Sequence, residues 1–182
     1  MSTLSYILLC MLVRKPCSGY ELKQYINLFW EAHHSQIYTA LNKLHEQGYV
    51  TVKIDPVHKQ KKIYHLTEAG QLVVTDWFQE ETNLPTQRDE FLAKVYVISL
   101  FNQEQAADLL QDRRHHYQKI QKQYQHKMQE YNLITDPTEK QKNLGRYLIL
   151  KRRLMVCATE LEWCAWAQDI LNQTASSPSL TN

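Results

Sequence analysis

Glycine and proline are scarce in this sequence, at 4 and 5 of 182 residues, too few for the many tight turns of an all-β domain or for a low-complexity segment. An excess of either charge is also missing: 21 Lys and Arg face 19 Asp and Glu, which excludes a polybasic or polyacidic chain that binds by net charge alone. The longest apolar run, Ser5 to Val13, is far below the ~20 residues a membrane-spanning helix needs. No Lys or Arg precedes it as an export signal would require, so neither a membrane span nor export is expected. Cys10, Cys17, Cys157 and Cys164 offer no two-residue spacing and no grouping with His that suits zinc, and are expected to be free thiols of a cytoplasmic protein. A glycine-rich phosphate loop, a metalloprotease helix motif and a nucleophile elbow are all lacking, so neither an enzyme nor a cofactor is expected.

What is present is hydrophobic periodicity, and it predicts a mainly α chain. Leu4, Ile7, Leu8, Met11 and Leu12 form one helical stripe, but Tyr6, Leu9 and Val13 make the other side apolar too. A helix greasy all round needs neighbours on two sides. After Pro16, Ser18 and Glu21 have the spacing of a capping box that opens a second helix, ending near Leu28. A third helix, from His34 or Ser35 to about Gln47, places Ile37, Ala40, Leu41 and Leu44 on one buried face, and Gly48 stops it. Two runs of β-formers follow, Tyr49 to Ile54 and Lys61 to Leu66, joined by a polar turn from Asp55 to Gln60. Three helices and then a hairpin is the order of a winged helix-turn-helix. A further helix should run from Thr67 to Glu81, and the break at Asn83-Leu84-Pro85 ends this first domain, residues 1–84.

Residues 85–172 read as a second, helical domain, with 173–182 as a disordered tail rich in Ser, Thr and Asn. One amphipathic helix is expected from Asp89 to Leu100. A long one follows from Gln103 to Leu133, carrying Leu110, Tyr117, Tyr124 and Tyr131 at steps of seven. The polar link Thr135 to Thr138 reverses the chain into a second long helix with Tyr147, Leu150, Leu154, Cys157, Leu161 and Cys164 on its seam. Leu148, Met155, Trp163 and Trp166 lie outside that seam. Another subunit is their expected cover, which makes the pair a dimerisation hairpin.

The candidate chemistry is recognition. With Ile37 at the centre of the buried face, Ser35, Thr39 and Asn42 point the other way, flanked by Gln36, Tyr38 and Lys43. Such side chains suit a major groove, with Gln and Asn on base edges and Ser, Tyr and Lys on the backbone, although a solvated helix face has the same composition. The hairpin that follows favours DNA, because Lys53, His58, Lys59, Lys61 and Lys62 surround its tip against Asp55 alone. His33 and His34 point ~100° apart on a helix and do not converge on a metal. In the second domain, Tyr96, Tyr117, Tyr147 and their aromatic neighbours are either core or the lining of a pocket at the junction with the first domain. In the pocket reading, Arg88, Lys94 or Arg146 would pair there with a small carboxylate.

The segments SGYELKQYI, HHSQIYTALNKLHEQGYV and KKIYHLTEAG together resemble the PadR family of bacterial transcriptional regulators, most strongly over residues 1 to about 75. RDEFLAKVYVISL and the long helices are similar to the longer branch of that family, which includes the phenolic-acid-responsive repressor that gives it its name. The resemblance implies a homodimer in which C-terminal helices interlock with the partner's N-terminal helix. It further implies that His34, Ser35, Gln36, Tyr38 and Lys43 belong to the DNA-contacting helix and that Lys59 to Lys62 form the wing. Finally, it implies operator DNA as a partner, release by hydroxycinnamates such as p-coumarate, and control of a phenolic acid decarboxylase gene. Two other readings stay open: a multidrug-type regulator of the same fold that senses planar hydrophobic cations, and a winged-helix protein-interaction adaptor.

Overall fold

The computed structural model describes residues 1–82, 84–85 and 88–176, and the chain divides between Leu84 and Pro85 into two units. Asn83, within the break at Asn83-Leu84-Pro85, and the last six residues of the expected tail lie outside the described residues.

In the first unit the helices are α1 (Thr3–Arg14), α2 (Gly19–Ile26), α3 (His34–Glu46) and α4 (Glu68–Phe78). The strands are β1 (Cys17–Ser18), β2 (Val50–Ile54) and β3 (Lys62–Leu66), in sheet order β1-β3-β2 with both pairings antiparallel. Three of the four helices start on a side-chain cap: Ser2 accepts from Ser5 N, Ser18 from Glu21 N and Thr67 from Gly70 N. The end of α3 is equally specific. Gly48, with φ +75°, donates to His45 O, and Tyr49 N donates to Leu44 O, the paired bonds of a Schellman motif that only a residue tolerant of positive φ closes without strain.

The core of this unit joins Ile7, Leu8, Leu9 and Leu12 of α1 to Leu22 and Ile26 of α2, the expected Ile37, Ala40, Leu41 and Leu44 of α3, and Val50 and Tyr64 of the sheet. The apolar excess of α1 is thus largely spent inside its own unit. Tyr6 lies flat on Trp77 of α4, with ring centroids 5.0 Å apart. One element and one helix end of this unit differ from expectation. The strand β1 was not foreseen, and α4 stops at Phe78 rather than Glu81 because Glu80 and Glu81 would add negative charge to the negative end of the helix.

The second unit contains α5 (Glu90–Tyr96), α6 (Gln103–Asn132), α7 (Pro137–Lys142) and α8 (Leu144–Ser176). The helix expected from Asp89 to Leu100 is interrupted at Val97, whose φ of −106° and ψ of 15° are non-helical, and only a 3-10 turn, Ile98–Leu100, follows. Val95, Val97 and Ile98 are β-branched and weaken the helix there. α6 and α8 run antiparallel, since Arg113 meets Glu160 near one end and Tyr131 meets Tyr147 near the other. Leu110, Leu150, Cys157 and Cys164 are buried on this seam, whereas Leu148, Met155 and Trp166 are more than half exposed. The reversal includes α7, opened by Asp136 as cap and Pro137 in the first turn. α8 continues to Ser176, past the expected end at 172, because a helix already formed needs little propensity to add a turn. No helix among the described residues is long and apolar enough to cross a membrane.

Candidate nucleic-acid interface and effector site

Burial of Ile37, Ala40, Leu41 and Leu44 turns the opposite side of α3 outward, and His34, Ser35, Gln36, Tyr38, Thr39, Asn42 and Lys43 are all exposed on it. Gln36 is partly committed: its Oε1 accepts from His33 N at 2.8 Å, which leaves its amide nitrogen free to read a base edge. Beside this face the rings of Tyr20, His34 and Tyr38 stack in sequence, with centroids 6.4 and 6.5 Å apart. Gly19 permits this approach, because a Cβ there would stand 2.7 Å from Cε1 of Tyr38.

The wing rises next to the stack. Asp55 Oδ1 accepts from Val57 N and His58 N, Asp55 N donates to Lys61 O and Lys61 N donates to His58 O, so four backbone N–H groups of the tip are satisfied within it. The two backbone bonds hold the Asp55 carboxyl below its ordinary range. Lys53, His58, Lys59 and Lys62 are exposed, while Lys61 is turned toward α2, its Nζ 3.4 Å from Glu21 Oε2. A cleft of about 310 Å³ lies among Ser18, Tyr20, Glu21, Tyr38, Gln60, Lys61 and Lys62, joining the wing to α3.

In the second unit the organised cation is Arg113. Its guanidinium grips Asp89 with two bonds, at 2.7 and 3.3 Å, and Glu160 at 3.0 and 3.1 Å. Phe91 and Tyr117 lie against it, 4.4 and 4.8 Å from their ring centroids, and Trp163 meets Phe91 edge-on. Hydrogen bonding from Arg113 holds the Asp89 carboxyl below its ordinary range, and burial pushes the Tyr117 phenol up. The four cysteines are free, and burial raises each thiol, which makes them poor nucleophiles.

Residues 8–76 match the Transcriptional regulator PadR-like family, and residues 87–172 match the Virulence activator alpha C-term family. The Negative transcriptional regulator PadR of Bacillus subtilis (strain 168) is 31% identical over 179 residues, 94% of this chain and 97% of that one. The chain belongs to the PadR-like family of transcriptional regulators. Two crystal structures of Bacillus subtilis PadR share its fold. The complex with operator DNA has a TM-score of 0.78 at 29% identity, covering 93% of this chain and 99% of that one. The complex with p-coumaric acid has a TM-score of 0.74 at 28% identity, covering 94% and 99%.

In this PadR-like regulator the residues expected at DNA are exposed on the outward side of α3 and on the wing, except Lys61, which is half-buried and turned toward Glu21. The six expected at an effector do not gather in the same way. Arg88, Lys94 and Tyr96 are exposed, the last by 90%. Tyr117 lies at Arg113, whereas Tyr147 stacks on Tyr131 and Arg146 pairs with Glu130. Residues 117 and 131 are ~21 Å apart along α6, so Tyr117 and Tyr147 do not face one ligand.

Sequence reasoning passed over Tyr20 and Arg113. Tyr20 stands off the Leu22–Ile26 buried stripe of α2 and was discoverable from that phase. Arg113 was not, since its partners are 24 and 47 positions away. A substitution tests the Tyr20–Tyr38 surface. Gly19→Ala should leave the fold intact, because the ring it displaces is the mobile end of an exposed side chain. Losing one well-placed phosphate contact from Tyr38 should weaken DNA binding about fivefold. A fluorescence-anisotropy titration beside a thermal melt checks both halves, and unchanged affinity would show that Tyr38 does not touch DNA.

Proposed function

We propose that this PadR-like protein is a cytoplasmic, dimeric repressor that is not an enzyme. It grips a near-palindromic operator with two copies of α3 and the wing, releases it on binding a hydroxycinnamic acid such as p-coumarate, and controls a phenolic acid decarboxylase gene. The observation that carries this reading is the joint exposure of a polar recognition face and a lysine-bearing wing in a chain 31% identical to a negative regulator over nearly its whole length. A dimer also accounts for the apolar stripe Leu148, Met155 and Trp166 left uncovered on α8. It would set two α3 helices in successive major grooves, about 34 Å apart.

Arg113 with Tyr117, Phe91 and Trp163 frames a cation with rings in the helical unit, and an aromatic acid would engage it by displacing Asp89 or Glu160. The other proposed effector residues, Arg88, Lys94, Tyr96, Arg146 and Tyr147, would act outside that cluster. One observation favours the multidrug-type reading: the two carboxylates at Arg113 outnumber its single charge, which suits a cation. The test is a titration of the protein on DNA from upstream of its own gene, with p-coumarate and with a planar hydrophobic cation. A coupling of ~1–3 kcal/mol weakens DNA binding about 5- to 150-fold, and it should come from the acid. Release by the cation alone would overturn the choice, and failure to bind DNA at all would favour the adaptor.

A further inference from the structure

Lys61 sits among the wing lysines in sequence, but the structure treats it differently. Its backbone closes the tip, accepting from Asp55 N and donating to His58 O, while its ammonium reaches back to Glu21. Glu21 is itself held in place by hydrogen bonds. Its Oε2 accepts from Ser18 N at 2.8 Å and from Ser18 Oγ at 2.6 Å, so one oxygen gathers the start of α2 and the base of the wing. Position in the first turn of α2 stabilises the negative charge, and the Ser18 bonds hold the carboxyl below its ordinary range. Ser18 also pairs with Ile63 across β1 and β3, so the tether lies beside a backbone ladder and acts on the tip above it.

From this geometry we propose that Glu21 is a positioning residue for the wing: it holds Lys61 as a tether, and Lys59 and Lys62 are the wing lysines that meet phosphate. The inference rests on the DNA-binding reading above. Two features of the cleft support it. Lys61 and Glu21 cancel in charge on the surface that faces the recognition helix, so the pair releases no counterion when DNA arrives. Lys59 and Lys62 are exposed, and Lys61 is only partly so. An exposed ion pair adds little to stability; its effect here is on where the tip stands.

The experiment compares Glu21→Gln, Lys61→Met, the double variant and Lys62→Met by the salt dependence of binding to DNA from upstream of the gene, with hydrogen exchange of the wing amides. Gln preserves the capping-box acceptor and removes only the charge. Lys62→Met should reduce the slope of log affinity against log salt by about 0.9, the value of one phosphate contact. Glu21→Gln and Lys61→Met should weaken binding about two- to fivefold at an unchanged slope, the range of a single exposed pair. The double variant should bind no more weakly than Lys61→Met, and the amides of Asp55 and of residues 57–61 should exchange faster in all three. A slope reduced by Lys61→Met as much as by Lys62→Met, or tighter binding by Glu21→Gln, would make Lys61 a phosphate contact and overturn the proposal. If the unmodified protein does not bind DNA, the DNA reading fails. The exchange data then judge the tether alone, and unaltered exchange in Glu21→Gln refutes it.

Discussion

Arg113→Ala should cost the helical unit about 2–3 kcal/mol, read as a lower urea midpoint of tryptophan fluorescence, to which Trp163 contributes. The guanidinium is 15% exposed and its two carboxylates, Asp89 and Glu160, 20% and 26%. Its removal therefore leaves two like charges mostly out of water with no counter-ion between them. Breaking a fully buried pair costs 3–5 kcal/mol, and the residual water access here lowers that figure. Contact with the Phe91 and Tyr117 rings is lost as well. Arg113→Lys should recover only part of the loss, because an ammonium cannot grip Asp89 with two parallel bonds while also reaching Glu160.

Acid should narrow the difference between Arg113→Ala and the unmodified protein to the part that comes from ring contact. The Asp89 carboxyl is held below its ordinary range in the folded state. The stability it contributes is therefore complete above the unfolded pKa of about 4 and disappears as pH falls through the folded value. A gap of the same size at pH 7 and at pH 3 would mean that Arg113 acts through packing alone.

The contrast between α3 and the Arg113 cluster shows where sequence reading reaches and where it stops. The buried face of α3 repeats every three or four residues, and Gly48 ends it, so its exposed polar face follows by subtraction. The features that were missed depend on distance along the chain. β1 is two residues whose only ladder partner lies in β3, and a two-residue strand has no periodicity to read. Glu21 and Ser18 are recognisable as a capping box, but the third donor on the same oxygen comes from the wing, 40 positions later. The helix α7 is a different case. Asp136, Pro137 and Glu139 carry a full set of start signals, and a reading that treats every polar link as loop overlooks them.

Gly70→Ala should be the most damaging single-methyl change in the first unit, while the same change at Gly145 should be harmless or slightly stabilising. Glycine is an inferior helix former at either place, by roughly 0.5–1 kcal/mol relative to alanine. The surroundings decide the sign. At Gly70, in the first turn of α4, a Cβ would lie 2.3 Å from the carbonyl oxygen of Tyr49 and 2.8 Å from Cδ1 of Leu66. The first of these is backbone, and it already accepts from Thr67 N at 3.1 Å, so it cannot yield without opening the cap of α4 or lifting β2 from its place. Overpacking of this kind costs about 1–3 kcal/mol, and loss of the Thr67 cap adds ~1 kcal/mol. At Gly145, in the first turn of α8, a Cβ meets nothing within 4 Å. Urea titrations of the two variants should therefore move in opposite directions. Because Tyr49 leads directly into β2, Gly70→Ala should also loosen the wing and weaken DNA binding under conditions where the protein remains folded. If Gly70→Ala is as stable as the unmodified protein, α4 is free to slide on the hairpin, and the wing is not braced by it.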